Sequence, residues 1–173
     1  MACNLTLNGL AVDCAGSIGG VAKVYIANYE DVTEITSNDT ITAISMAEGK
    51  KFKAFNFRKN MASFTSTLTV DAGTGNNYVT TDLAMTFNKM ETVKRVEMSA
   101  LSVNELAVIV KDNNGIYWYL GKDNAVTASA GTGETGVART DASKYTITLQ
   151  DFSATYPLEV DKTIVDALVE EVV

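Results

Sequence analysis

Few residue types in this 173-residue chain carry reaction chemistry, and their spacing does not bring them into a constellation. There is no histidine, so the commonest general base and metal ligand near neutral pH are both missing. A serine or cysteine nucleophile that relies on imidazole is thereby excluded. A carboxylate or lysine site stays open, but no carboxylate pair is placed to form one. Gly131, Gly133 and Gly136 spell a formal G-x-G-x-x-G. A dinucleotide fingerprint needs a strand before it and an apolar helix opening at its end. The residues after Gly136 are Val137-Ala138-Arg139-Thr140-Asp141, so this stretch reads as a Gly/Thr turn or part of a β-ribbon. Cys3 and Cys14 have no metal-ligand spacing, and they are either paired or free thiols. The expectation is no enzyme, no cofactor and no metal.

Two clusters point to surfaces instead. Lys50, Lys51, Lys53, Arg58 and Lys59 concentrate positive charge within ten residues. This is a lysine-protected sheet edge, a basic stripe that docks on an acidic face of a neighbouring subunit, or, least in keeping with the overall charge, a nucleic-acid patch. Tyr117-Trp118-Tyr119 would suit a stacking platform in a stand-alone adhesion or carbohydrate-binding domain, or else core.

Net charge is −7, from 14 basic and 21 acidic residues, which argues against gripping nucleic-acid phosphate. It is compatible with letting DNA pass without sticking. Hydrophobic residues make up 46% of the chain, with one proline and 12 glycines, as in a folded single domain with a real core. No run approaches the roughly 18–20 apolar residues of a membrane span. The opening Met-Ala-Cys-Asn-Leu-Thr has no basic region followed by an apolar core, so no secretion signal is expected. The glycosylation-like triplets at Asn4 and Asn38 are then chance.

The elements that must position these groups are mostly strands. Residues 106–121 form two apolar runs around Asp112-Asn113-Asn114-Gly115, the pattern of a hairpin buried on both faces. It is expected to lie centrally, under a helix on one side and more sheet on the other. Residues 1–20 read as an irregular N-terminal arm. Strands are expected at 21–29, 41–46 and 51–58, with an exposed loop at 30–40. In 62–70, Ala62, Phe64, Leu68 and Val70 alternate with Ser63, Thr65, Thr67 and Thr69; in 78–87, Val79, Leu83, Met85 and Phe87 alternate with Thr80, Asp82 and Thr86. These make a long hairpin with one apolar and one hydroxyl-rich face. A helix is expected at about 89–102, capped by Asn88 with Glu91 and buried along Met90, Val93, Val96, Ala100 and Leu101. Residues 122–142 read as a loop and 143–150 as a strand, with a bulge or strand end near Asp151. The core domain then runs over 21–157. Residues 158–173 form an arm, helix or added strand, whose Ile164, Leu168 and Val172 must dock on this domain or the next.

The sequence resembles a family in several stretches: 77–90, 106–110, Asn113-Asn114-Gly115, Tyr119-Leu120-Gly121, the Gly131–Gly136 region and Lys144-Tyr145-Thr146-Ile147-Thr148-Leu149. Met-Ala-Cys-Asn-Leu-Thr and Gly19-Gly20-Val21-Ala22-Lys23-Val24-Tyr25 are similar to starts in the same group. In that order they resemble tail tube proteins of tailed bacteriophages of Bacteroidetes-type hosts. The likeness covers most of the chain in short, degenerate pieces, and departs from the pattern at the Gly131 loop and the acidic tail after Pro157.

The resemblance implies a mainly β chain with one flanking helix, an antiparallel β-sandwich or barrel of the tail-tube type. It implies a virion protein, made in the host cytoplasm, forming stacked homo-oligomeric (hexameric) rings. The partners it implies are further copies, a tail terminator, baseplate or connector, and DNA as passing cargo. Under that expectation Lys51, Lys53, Arg58, Lys59, Ile164, Leu168 and Val172 are candidate subunit-interface residues. Thr65, Thr67, Thr69, Thr80, Asp82 and Thr86 are candidate lumen-facing residues. A capsid decoration or head–tail joining role would use the same β domain.

Overall fold

The structure, a computed structural model, describes residues 9–11 and 14–170. Its strands are β1 (Val21–Asn28), β2 (Val32–Ser37), β3 (Ile41–Met46), β4 (Phe52–Phe55), β5 (Ala62–Asp71), β6 (Asn76–Asn88), β7 (Leu106–Asp112), β8 (Tyr117–Leu120), β9 (Thr127–Glu134), β10 (Lys144–Ser153), β11 (Leu158–Val160) and β12 (Val169–Glu170). Two helices, α1 (Thr92–Val103) and α2 (Lys162–Leu168), complete the order. Sheet A runs β12-β4-β1-β7-β8-β11-β3-β2 and sheet B runs β5-β6-β10-β9. The chain is mainly β, as expected, but sheet A is mixed, because β11 pairs with β3 and β12 with β4 in parallel.

The 106–121 hairpin is central to sheet A: β7 and β8 are antiparallel neighbours in the middle of its order. Its two faces feed two cores. Leu106, Val108 and Val110 meet Leu83, Met85, Ile147 and Leu149 of sheet B. Ala107 and Ile109 face a second core with Tyr25, Ile41, Phe52, Val160 and Val165. Strands near opposite ends of sheet A thus share one core, so the sheet curls around α2, whose Val165 is fully buried. Burying such a valine is worth about 1.5–3 kcal/mol. In the turn, Asp112 accepts from the amides of Asn114 and Ile116 (2.8 and 2.9 Å), and Gly115 takes φ +88°. Asn113 and Asn114 also hold the N-terminal arm, through Gly19 O (2.7 Å) and Ile18 N (2.8 Å).

Four expectations are corrected. Residues 30–40 are not a loop: one 3₁₀ turn, Tyr29–Asp31, leads into β2, which pairs with β3. As an edge strand β2 keeps only Val32 and Ile35 against the core, so its polar residues imitate a loop. The helix starts at Thr92 rather than 89, because Asn88 still pairs with Lys144 in the β6–β10 ladder and Lys89 turns the chain with φ +63°. Asn88 therefore cannot cap it. Of the expected helical stripe only Leu101 is buried, and Val93, Val96 and Val103 are 71%, 53% and 80% exposed. Finally, residues 158–170 are not an arm. β11 inserts between β8 and β3, α2 plugs the curl, and β12 lies on β4. Ile164 and Leu168 are half-buried against this chain's own core, whereas Val172 and Cys3 lie outside the described residues.

Candidate assembly surface

Sheet B presents one buried and one open face. Residues opposite each other in a ladder share a face, and the registers Thr65↔Asp82, Thr67↔Thr80 and Thr69↔Tyr78 continue into Gln150↔Asp82 and Phe152↔Thr80. All six candidate lumen residues, Thr65, Thr67, Thr69, Thr80, Asp82 and Thr86, therefore lie on the outer face, none of them buried. Thr146 and Thr148 of β10 and Thr132 of β9 extend it across the sheet. Gln150 Nε2 donates to Asp82 Oδ1 at 2.7 Å, tying β10 to β6. The result is a broad, hydroxyl-rich surface with little charge.

The hairpin β5–β6 also outruns the core. Leu68 and Val70 have the apolar parity expected of them, yet both are exposed, because the distal end projects past sheet A. There Ser66 Oγ and Thr81 Oγ1, 2.7 Å apart, replace an apolar pair. The Asp71 carboxylate ties the tip by accepting from Thr74 Oγ1 (2.7 Å) and Gly73 N (2.8 Å), contacts that hold its pKa below the usual value.

The edges of sheet B are distinctive. β5 and β9 are its outer strands, and among the described residues no further strand pairs with either. Residues 62–70 and 127–133 contain no charge and no proline. Natural edges are normally blunted by charge, proline or shortness, as at β12, where Glu170 forms an ion pair with Lys53. β9 corrects the expected loop at 122–142. Gly131 and Gly133 pair with Ile147 and Tyr145 in the ladder. A Cβ on Gly133 would lie 2.8 Å from the Tyr145 ring, and one on Gly136, at φ +72°, would lie 2.2 Å from Asp141 Cβ. The glycine pattern thus has a packing explanation. Nor does the β6–β10 ladder break at Asp151: it is regular through Ser153↔Val79, and the bulge falls on the β9 side between Thr148 and Leu149.

Asp151 is the buried charge that sequence parity concealed. It is 2% exposed, on the inner face opposite Thr81. Burial pushes its carboxyl up to about 6, against hydrogen bonds from the Gly121 and Phe152 amides, and Asp123 adds to the rise. Tyr119, also buried, is raised by desolvation, then by Tyr29 and Asp151.

The basic cluster is split. Lys53 pairs with Glu170, and Lys50 with Asp31 at 3.2 Å. Lys51, Arg58 and Lys59 are exposed and make no ion pair among the described residues. β4 lies inside sheet A, between β1 and β12, rather than at its edge. The aromatic run forms no platform: Tyr117 and Tyr119 are buried, and Trp118 packs near Phe64 with its Nε1 donating to Asp112 at 3.2 Å. Among the described residues no three His, Cys, Asp or Glu are grouped to hold a metal, and no helix is long and apolar enough to cross a membrane.

No known family profile matches the chain, and no curated protein matches it. Among solved structures, the chain is similar to one described as "Virion of native gene transfer agent (GTA) particle", at 10% identity and a TM-score of 0.37, over 78% of this chain and 99% of that one. A likeness that loose says nothing about what this chain does.

Proposed function

We propose that this chain is a virion structural protein, a tail tube subunit that assembles into stacked rings around a conduit for DNA. The observation that carries the reading is sheet B: two long edges, without charge over 62–70 and 127–133 and unpaired among the described residues, flanking a hydroxyl-rich face. Pairing β5 of one copy with β9 of the next joins different surfaces. Repeated around an axis, such a heterologous contact closes a ring. The face carrying Thr65, Thr67, Thr69, Thr80, Asp82 and Thr86 would then line the lumen. Hydroxyls hydrate such a wall without binding phosphate, and a net charge of −7 repels it.

Stacking would use the surfaces that remain: the 72–75 turn beside exposed Leu68 and Val70, the 135–142 loop, and the N-terminal arm with exposed Leu10 and Ile18. The exposed valines of α1 and the cations Lys51, Arg58 and Lys59 are further contact surface between copies or towards other virion proteins. Sedimentation velocity tests the ring step. The expected species has the mass of six 18.5 kDa chains, and a monomer at every concentration would remove the proposal. A closed ring that never stacks would assign the chain to a joining or decoration role.

A further inference from the structure

The charges that the two open edges of sheet B lack lie at or just beyond their ends. β5 is preceded by Arg58 and Lys59, both exposed and without an ion pair among the described residues, and it ends at Asp71. β9 starts without charge and ends at Glu134. The Glu134 carboxylate meets Lys144 Nζ on the next strand at 3.0 Å, yet its side chain is 54% exposed. A carboxylate accepts several donors, so it is open to a further one.

The ladders fix where these ends stand. Ala62, Met85, Ile147 and Gly131 form one row across the sheet. Met61 O still accepts from the Thr86 amide at 2.8 Å, and Asn60 then turns the chain with φ +62°. Glu134 lies three residues past Gly131, about 10 Å further along, on the side from which β5 enters. The basic start of β5 and the acidic end of β9 are therefore level. Within one chain β6 and β10 hold these edges about 14 Å apart, which keeps the charges from meeting.

Direction matters as much as level. All three ladders are antiparallel, so β5 and β9 run in opposite senses. Copies rotated about one axis keep a common orientation, so β9 of one copy meets β5 of the next antiparallel, bringing Glu134 to Arg58 and Lys59. A parallel approach would bring it to Asp71, like charge against like. We infer that Glu134 of each copy pairs with Arg58 and Lys59 of the next, a clasp that selects direction and register between otherwise neutral edges. This rests on the β5–β9 contact proposed above and names the side chains that align it. Exposed ion pairs add little affinity, but with repulsion against the wrong alignment they fix register.

The test compares Glu134→Lys, the pair Arg58→Glu with Lys59→Glu, and the triple variant that exchanges both charges. Sedimentation velocity reads the concentration at which half the chain is in rings. Each half-exchange is expected to raise that concentration at least about tenfold, because like charges then face each other at every contact. The triple variant is expected to return to within about threefold of the parent. Loss of the Lys144 pair cannot mimic that recovery, because the triple variant lacks it too. Rings that form alike in all variants, or a triple variant no better than the half-exchanges, would overturn the clasp and leave the ring standing. A parent that forms no ring at any concentration would remove both. Zero-length carbodiimide coupling of the assembled parent, mixed from isotopically labelled and unlabelled chains, gives a second readout. Lys59–Glu134 amides are expected between chains. Their absence beside ready Lys144–Glu134 coupling within chains would also overturn the clasp.

Discussion

Thr65 on β5 stands directly opposite Asp82 on β6, and Asp82 in turn accepts a hydrogen bond from Gln150 on β10 at 2.7 Å. Asp82 is thus the carboxylate held at the middle of the outer face of sheet B, among threonines. If that face lines a DNA conduit, its charge decides whether DNA slides or sticks. Asp82→Lys changes each copy from −7 by two units. Assembled Asp82→Lys protein is expected to retain duplex DNA at low salt and release it steeply as salt rises, while the unsubstituted assembly retains none in a filter-retention assay. Tight DNA binding by the unsubstituted assembly would contradict passage without adhesion.

The two open edges can be blocked without touching the core. Thr67 and Ala130 are exposed, on β5 and β9. Thr67→Lys with Ala130→Lys places like charges on both edges that must meet. The unfolding free energy is expected to move by no more than about 0.5 kcal/mol, while rings disappear in sedimentation velocity. Rings that persist would rule out β5–β9 pairing as the contact.

The glycines of 131–136 separate packing from ligand binding. Gly131→Ala meets its nearest atom at an ordinary 3.5 Å and is expected to be near neutral in urea denaturation. Gly133→Ala drives a methyl into the Tyr145 ring, at an expected cost of about 1–3 kcal/mol. Gly136→Ala adds a left-handed φ to its clash with Asp141 and is expected to cost a similar amount. Equal tolerance at all three positions would contradict the placement of β9.

Asp151 gives the fold a pH signature. Its folded pKa of about 6 lies above the unfolded value near 4, so the fold favours the protonated form. That contribution is complete below about pH 4 and is lost as pH rises through about 6. Thermal stability is therefore expected to fall between about pH 4 and pH 6.5. Asp151→Asn is expected to flatten the profile and to add about 1–3 kcal/mol at pH 7.5. A variant less stable than the parent at pH 7.5 would show that the carboxylate's hydrogen bonds outweigh its desolvation.

Strands that bury a full face were legible in the chain, because alternation reports burial. The 106–121 hairpin, β3 and the parity of β5 and β6 are all read from it. The misreadings were set by distant neighbours. β2 reads as a loop because an edge strand with one half-buried face carries few apolar residues. Val93 and Val96 mark a helical stripe, but only packing decides whether a stripe is covered: of its residues Leu101 is buried, and Met98, outside the stripe, packs against the same core. Asp151 and Phe152 exchange their expected polarity, so a continuous ladder looks interrupted. The tail's role depends on β8, β3 and β4 lying where it can join them, a non-local fact. For the candidate surface, the hydroxyl face was visible from Thr65 to Thr86, whereas the open edges that give it meaning emerge only from strand order.

The most direct measurement is negative-stain electron microscopy of the purified protein over a concentration series. The account predicts hollow rings of one diameter that stack into tubes as concentration rises, with the Thr67→Lys, Ala130→Lys protein showing neither. Featureless monomer-sized particles at every concentration would contradict it.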